Sequence, residues 1–185
     1  MLPHLLSLLR LPLGVLLYVL VLRRQPWPAV AALGVVVAAA LTDYFDGALA
    51  RRLGVVTVLG KWLDALCDAA FFAWVYLSLM RIDLMPPVLF ALFAARELLQ
   101  YAVIRPLSTS RGLDPGAKLP GKIKTGLQVL GSCTILVLLA LSLDGLLAPE
   151  ILRRVCVVAL SVMVAVSVVS LGWYVAPLLR SLRDE

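Results

Sequence analysis

"TDYFDGALARRLGVVTVLGKWLDALCDAA", residues 42–70, sets Asp43, Asp46, Asp64 and Asp68 among runs of Ala, Val and Leu. An ionised carboxylate at the centre of a bilayer costs about 2.5–3.5 kcal/mol even on insertion scales. Asp43 and Asp46 are three residues apart, and Asp64 and Asp68 four apart, so each pair shares one face of a helix. Gly47 and Gly60 extend those faces, four residues after Asp43 and four before Asp64. The turn between the two helices is short, so they are expected to be antiparallel neighbours whose acidic faces meet near one membrane surface. Four carboxylates gathered in a poorly solvated place cannot all stay ionised unaided. Divalent cations would solve that problem.

The surrounding chain explains why solvation is poor. Of its 185 residues, 62% are hydrophobic, and the mean hydropathy is +1.00. Soluble domains hold about half apolar residues, so this composition excludes an ordinary soluble protein. Six stretches have the length and apolar character of a membrane span, at about 5–22, 28–50, 60–80, 86–104, 119–143 and 151–175. The expected fold is an all-α integral membrane protein of six transmembrane helices, forming a single domain over residues 1–185. The first stretch has no basic n-region or small-residue cleavage site and carries Arg10 inside it, so it reads as a retained helix. Cys67, Cys133 and Cys156 all fall within spans, without zinc-like spacing, and read as buried small hydrophobes.

Six spans put both termini on one side. Arg10, Arg51, Arg52, Lys61, Arg105, Arg111, Lys118, Lys122, Lys124, Arg180 and Arg183 fall on that side, against Arg23, Arg24, Arg81, Arg153 and Arg154 on the other. The positive-inside rule then places the termini and the acidic site in the cytoplasm; a cell inner or plasma membrane is the expected location, although charge bias does not choose the membrane. The net charge of +6 is thereby mostly a property of one face, and topology plus attraction to anionic lipid accounts for most of it. No nucleic-acid partner is expected.

Oxygen-only ligands favour Mg²⁺ or Mn²⁺ over zinc. Four carboxylates suit two ions about 3.5–4 Å apart, an arrangement used for phosphoryl-type displacement. Gly47, Ala50 and Gly60 remove bulk where a ligand would approach the backbone, although close helix packing explains each of them equally well. Arg51 can fork onto phosphate oxygens, and Thr57 offers a hydroxyl in the connecting turn.

The whole pattern, Asp43-x2-Asp46-Gly47-x2-Ala50-Arg51-x8-Gly60-x3-Asp64-x3-Asp68, resembles the signature of the CDP-alcohol phosphotransferase (phosphatidyltransferase) family at all eight positions. The resemblance implies six transmembrane helices around a two-metal site at the cytoplasmic side of the second and third, usually in a homodimer. It implies transfer of a phosphoalcohol from a CDP-linked donor to an alcohol, with release of CMP. Asp43, Asp46 and Asp64 would be metal ligands. Asp68 would complete the second metal and act as general base. Gly47, Ala50, Arg51, Thr57 and Gly60 would line the site of the CDP donor.

Two further stretches bear on the acceptor. "FAARELLQYAVIRPL" and "KLPGKIKTGLQVLG" resemble segments of the phosphatidylglycerophosphate synthase branch, whose donor is CDP-diacylglycerol and whose acceptor is glycerol 3-phosphate. They make Arg96, Lys122 and Lys124 the candidate acceptor-binding residues, with an ion pair between Arg96 and Glu97 as the structural alternative. Lys122 and Lys124 are two apart and should diverge on a helix. The opening "LPHLLSLLRLPLG" is similar to the start of that branch, with His4 and Ser7 in place of Asn and Thr. The last two acids read Asp64-Ala-Leu-Cys-Asp68-Ala69, without the Pro and Lys usual there. Inositol phosphate, phosphatidylglycerol or another polar alcohol therefore stand as alternative acceptors. A small cation or proton transporter would also use intramembrane acids, but would not require the interleaved Gly and Arg.

Overall fold

The computed structural model describes residues 2–53, 58–112 and 119–183; the side chains of residues 2–6, 43–53, 58, 59, 61, 119, 120 and 182 lie outside the description. Every regular element among the described residues is helical. This follows from an apolar chain whose backbone polar groups find no water in lipid and must pair within the segment. The helices are α1 (Leu2–Leu22), α2 (Pro26–Leu53), α3 (Val58–Arg81), α4 (Pro87–Leu98), α5 (Arg105–Ser110), α6 (Leu119–Leu143) and α7 (Pro149–Arg183), with a π-helical turn over Leu99–Ile104 joining α4 to α5.

Local chemistry sets the breaks. Pro26, Pro87 and Pro149 open α2, α4 and α7, where a missing N–H costs nothing. Gly145, at φ 78°, ends α6: its N–H bonds Ser142 O at 3.1 Å while Leu146 N–H bonds Leu141 O at 2.9 Å, a Schellman pair. Asp83 fills the same left-handed position after α3 at φ 65°, with Leu84 N–H on Leu79 O at 2.9 Å.

The helix contacts close a ring. α1 packs on α2 and α3, α2 on α6, α6 on α7, α7 on α4, and α4 back on α3. The core within it is apolar and aromatic: Tyr76 meets Phe93 edge to face at 4.7 Å, and Phe71 and Phe72 are buried beside them. A Cβ added to Gly14 would stand 2.7 Å from Trp74 Cδ1, so glycine is what lets α1 lie this close to α3. Large apolar side chains such as Trp27, Leu98, Leu130 and Val169 point outward, as lipid-facing residues do.

The expected six spans are matched only in part. Among the described residues, Trp62–Arg81, Pro87–Ser110, Gly121–Leu143 and Pro149–Ser181 are long and apolar enough to cross a membrane. Ser7–Leu22 and Pro26–Thr42 are shorter apolar stretches. Both are parts of longer helices, Leu2–Leu22 and Pro26–Leu53, cut where the description of side chains stops. The fourth span is longer than expected, because the helical rod continues through the π-helical turn to Ser110 rather than ending at residue 104. Pro106 gives the reason: it lacks the N–H for Ala102 O, and its ring crowds that carbonyl. The ladder shifts instead, with Arg105 N–H bonding Gln100 O.

Candidate active site

A cavity of about 790 Å³ opens among the helices, and every one of them that has described residues near that end contributes to its lining. α3 provides Asp64 and Asp68, one turn apart on a single face. α4 provides Arg96, the π-helical turn provides Gln100 and Tyr101, and α5 provides Arg105. Lys122 and Lys124 come from α6, Arg10 from α1 and Tyr174 from α7. Carboxylates from one helix thus share a cavity with cations from four others.

Asp64 is anchored from α1. Arg10 Nη1 donates to Asp64 Oδ1 at 2.9 Å, and Ser7 Oγ donates to the same oxygen at 3.3 Å. The Arg10 side chain is 1% exposed and that of Asp64 43%, so the cation is buried and the carboxylate still faces the cavity. A buried guanidinium needs such a partner to offset its lost hydration. Asp68 lines the same cavity one turn further on.

The cations are fixed by a second network. Arg96 donates through Nε to Ser167 O (3.1 Å), through Nη1 to Glu97 Oε1 (2.9 Å) and through Nη2 to Ser170 Oγ (3.1 Å). Lys124 Nζ donates to the same Glu97 oxygen at 2.7 Å. Arg96, Glu97 and Lys124 are all buried, so one carboxylate holds two cations and ties α4 to α6, while Arg96 ties α4 to α7. The Arg105 guanidinium lies 5.2 Å from the Tyr101 ring centroid, within cation–π range. Against Gly121, at the start of α6, stands the Tyr174 hydroxyl, so a side chain there would displace it.

The residues expected from sequence are distributed as follows. Asp64 and Asp68 meet on the cavity, and so do Arg96, Lys122 and Lys124. The ion pair between Arg96 and Glu97 is present. Lys124 is buried and Lys122 exposed, as their divergence requires, yet both border the cavity. Gly60 lies on α3. Asp43, Asp46, Gly47, Ala50 and Arg51 lie on α2, but their side chains are outside the described residues, and Thr57 is outside them altogether. Among the described residues no group of three or more metal-ligating side chains gathers. The described half of the acidic set, two carboxylates one turn apart on an open cavity, has the donor chemistry that suits a hard divalent cation.

Arg10, Ser7, Gln100, Tyr101 and Arg105 were not expected in the site. Arg10 and Arg105 had been read as topology-setting charges. Arg105 is nine residues after Arg96, about two and a half turns of an α-helix, which would put the two on opposite faces. The π-helical turn changes that register, and both reach the cavity. The sequence signal was Pro106, which forbids a regular ladder at that place.

Residues 1–173 match the CDP-alcohol phosphatidyltransferase family. The chain belongs to that family. It is 34% identical over 100 residues to a CDP-diacylglycerol–glycerol-3-phosphate 3-phosphatidyltransferase of Bacillus subtilis, covering 53% of this chain and 50% of that one. It is 32% identical over 159 residues to a probable phosphatidylglycerophosphate synthase of Mycobacterium tuberculosis, covering 84% and 68%. A cardiolipin synthase (CMP-forming) of Rattus norvegicus is 35% identical over 117 residues, covering 60% and 38%. The chain spans about half the length of the Bacillus relative. Family members are transferases, and the apolar helices described above suit a membrane enzyme.

Proposed function

We propose that the protein transfers the phosphatidyl group of CDP-diacylglycerol to a hydroxyl of glycerol 3-phosphate and releases CMP. The acceptor oxygen bonds to the phosphatidyl phosphorus, the bond from that phosphorus to the CMP oxygen breaks, and the hydroxyl proton passes to a carboxylate. Asp68 is the base. Asp43, Asp46, Asp64 and Asp68 would hold two Mg²⁺ or Mn²⁺ ions, which supply charge neutralisation to the pyrophosphate and acidify the acceptor hydroxyl. Arg10 and Ser7 orient Asp64 by occupying one of its oxygens. Gly47, Ala50, Arg51, Thr57 and Gly60 form the donor side. Arg96, Lys122 and Lys124, joined by Arg105, attract the acceptor phosphate; Lys124 and Arg96 are held in place by Glu97.

The observation that carries the reading is the shared cavity, with the Asp64 and Asp68 carboxylates and five cations lining one space, Arg10 on the Asp64 side and the other four opposite in role. That division suits two phosphates of different roles, one compensated by metal and one by side chains. A neutral amino alcohol would not need the second group. In the same reading residues 1–185 form one domain with six transmembrane helices, α1 and α2 included, as a homodimer. Both termini and the cavity mouth lie in the cytoplasm, by the excess of Lys and Arg there.

The test is an acceptor panel. Detergent-purified protein is given CDP-diacylglycerol, Mg²⁺ or Mn²⁺, and glycerol 3-phosphate, inositol phosphate, serine or phosphatidylglycerol, and the lipid product is identified by mass spectrometry. Phosphatidylglycerophosphate as the product supports the reading. Cardiolipin formed from phosphatidylglycerol would match the product in the rat relative's name, and would contradict the role given to the cations.

A further inference from the structure

Gln100 stands in the π-helical turn, only 3% exposed, and lines the cavity next to Arg96, Tyr101 and Arg105. Its amide oxygen has no hydrogen-bond partner among the described residues. Buried amides are normally satisfied, so an orphaned one on a cavity wall needs a partner that arrives with a ligand. Turns of π-helix recur at functional sites because they re-aim side chains that a regular helix would misplace. The two observations are independent: one concerns the side chain, the other the backbone that carries it.

The chemistry of the missing partner follows from the group. Cations around the cavity match a phosphate, which at neutral pH offers its oxygens as acceptors. An amide oxygen is itself an acceptor and cannot pair with those. It matches a hydroxyl. The same holds with the amide turned over, because a hydroxyl both donates and accepts. Glycerol 3-phosphate carries two hydroxyls; one is consumed as the nucleophile, and the other needs recognition if the enzyme is to tell a polyol phosphate from a simpler hydroxyalkyl phosphate.

We propose that Gln100 reads a non-reacting hydroxyl of the acceptor, and so makes the site selective for a polyol phosphate. This rests on the phosphatidyltransferase reading above and names the residue that would set its acceptor specificity. Arg96, Lys122, Lys124 and Arg105 supply affinity for any alkyl phosphate; Gln100 supplies the distinction among them.

The experiment compares two acceptors in the detergent-purified full chain with CDP-diacylglycerol and Mn²⁺. One is glycerol 3-phosphate. The other is 3-hydroxypropyl phosphate, which keeps the phosphate and the terminal hydroxyl but lacks the middle one. The wild-type protein should favour glycerol 3-phosphate by about tenfold in kcat/KM, the effect of one hydrogen bond. Gln100→Met, which keeps the volume and removes the amide, should lose about that tenfold on glycerol 3-phosphate. Its kcat/KM for 3-hydroxypropyl phosphate and its KM for CDP-diacylglycerol should stay as in the wild type. Equal wild-type activity on the two acceptors overturns the proposal without any variant. An equal loss on both acceptors in Gln100→Met, or no loss on either, also overturns it while leaving the transferase reading intact. A wild-type protein that releases no CMP with either acceptor overturns the transferase reading, and the proposal with it.

Discussion

Asp68 is the residue on which the proposed chemistry turns. Asp68→Asn keeps the size of the side chain but removes its charge, its ability to take a proton and one carboxylate oxygen from the proposed metal shell. Turnover should fall by at least about 10²–10⁴-fold, with the fold and much of the donor binding kept; near-normal CMP release would refute the base assignment. Arg10 acts one step further out. Its guanidinium and the Ser7 hydroxyl both bond Asp64 Oδ1, so α1 sets the orientation of a proposed metal ligand. Partners of this kind are worth about 10–100-fold in metal affinity. Arg10→Gln should therefore raise the Mn²⁺ concentration needed for half-maximal CMP release by about that factor, and an unchanged metal requirement would show that the pair only holds α1 against α3. Glu97 belongs to the other half of the cavity, where one oxygen accepts from both Arg96 and Lys124. Glu97→Leu leaves two buried cations uncompensated, and breaking such a pair costs about 3–5 kcal/mol. A large drop in the thermal midpoint in detergent is the expected result.

At the scale of the helices, close packing is as decisive as charge. Gly14 allows α1 to touch Trp74 of α3. Gly14→Val should cost about 1–3 kcal/mol through overpacking and lower activity with it, since the same helix pair carries Arg10 and Asp64; an unchanged midpoint and full activity would mean that the two helices part without loss. The helices themselves were legible in the sequence. Runs of apolar residues marked the place of each of the six rods, while the prolines that open three of them and Gly145 after α6 show their part only in the structure. The π-helical turn was not legible, because its cause is a single proline acting on a carbonyl four residues back. Missing it ended the fourth span at residue 104 and left Arg105 in a loop. The anchoring of Asp64 by Arg10 was hidden for a different reason: their separation of 54 residues joins two helices that only tertiary packing brings together.

For the molecule as a whole, hydropathy was enough for the membrane class, and the spacing of the acids for the candidate acidic faces. What they could not supply was which polar residues share a space. Lys and Arg that look alike in a count of charges on one side of the membrane divide in the structure into buried ones, such as Arg10, Arg105 and Lys124, and an exposed one, Lys122, at the cavity edge. Apolar residues tell still less, since faces turned to lipid and faces turned to the core have the same composition. The spacing of the acids and glycines carried the family, while the split between carboxylates on α3 and cations on α4 to α6 carries the proposal of a phosphorylated acceptor. The most direct test of that account is CMP release by the purified protein from CDP-diacylglycerol and glycerol 3-phosphate, with and without Mg²⁺ or Mn²⁺. Release that requires both the acceptor and the metal, and stops on chelation, is the predicted result; release that continues in excess chelator, or none with both supplied, would contradict it.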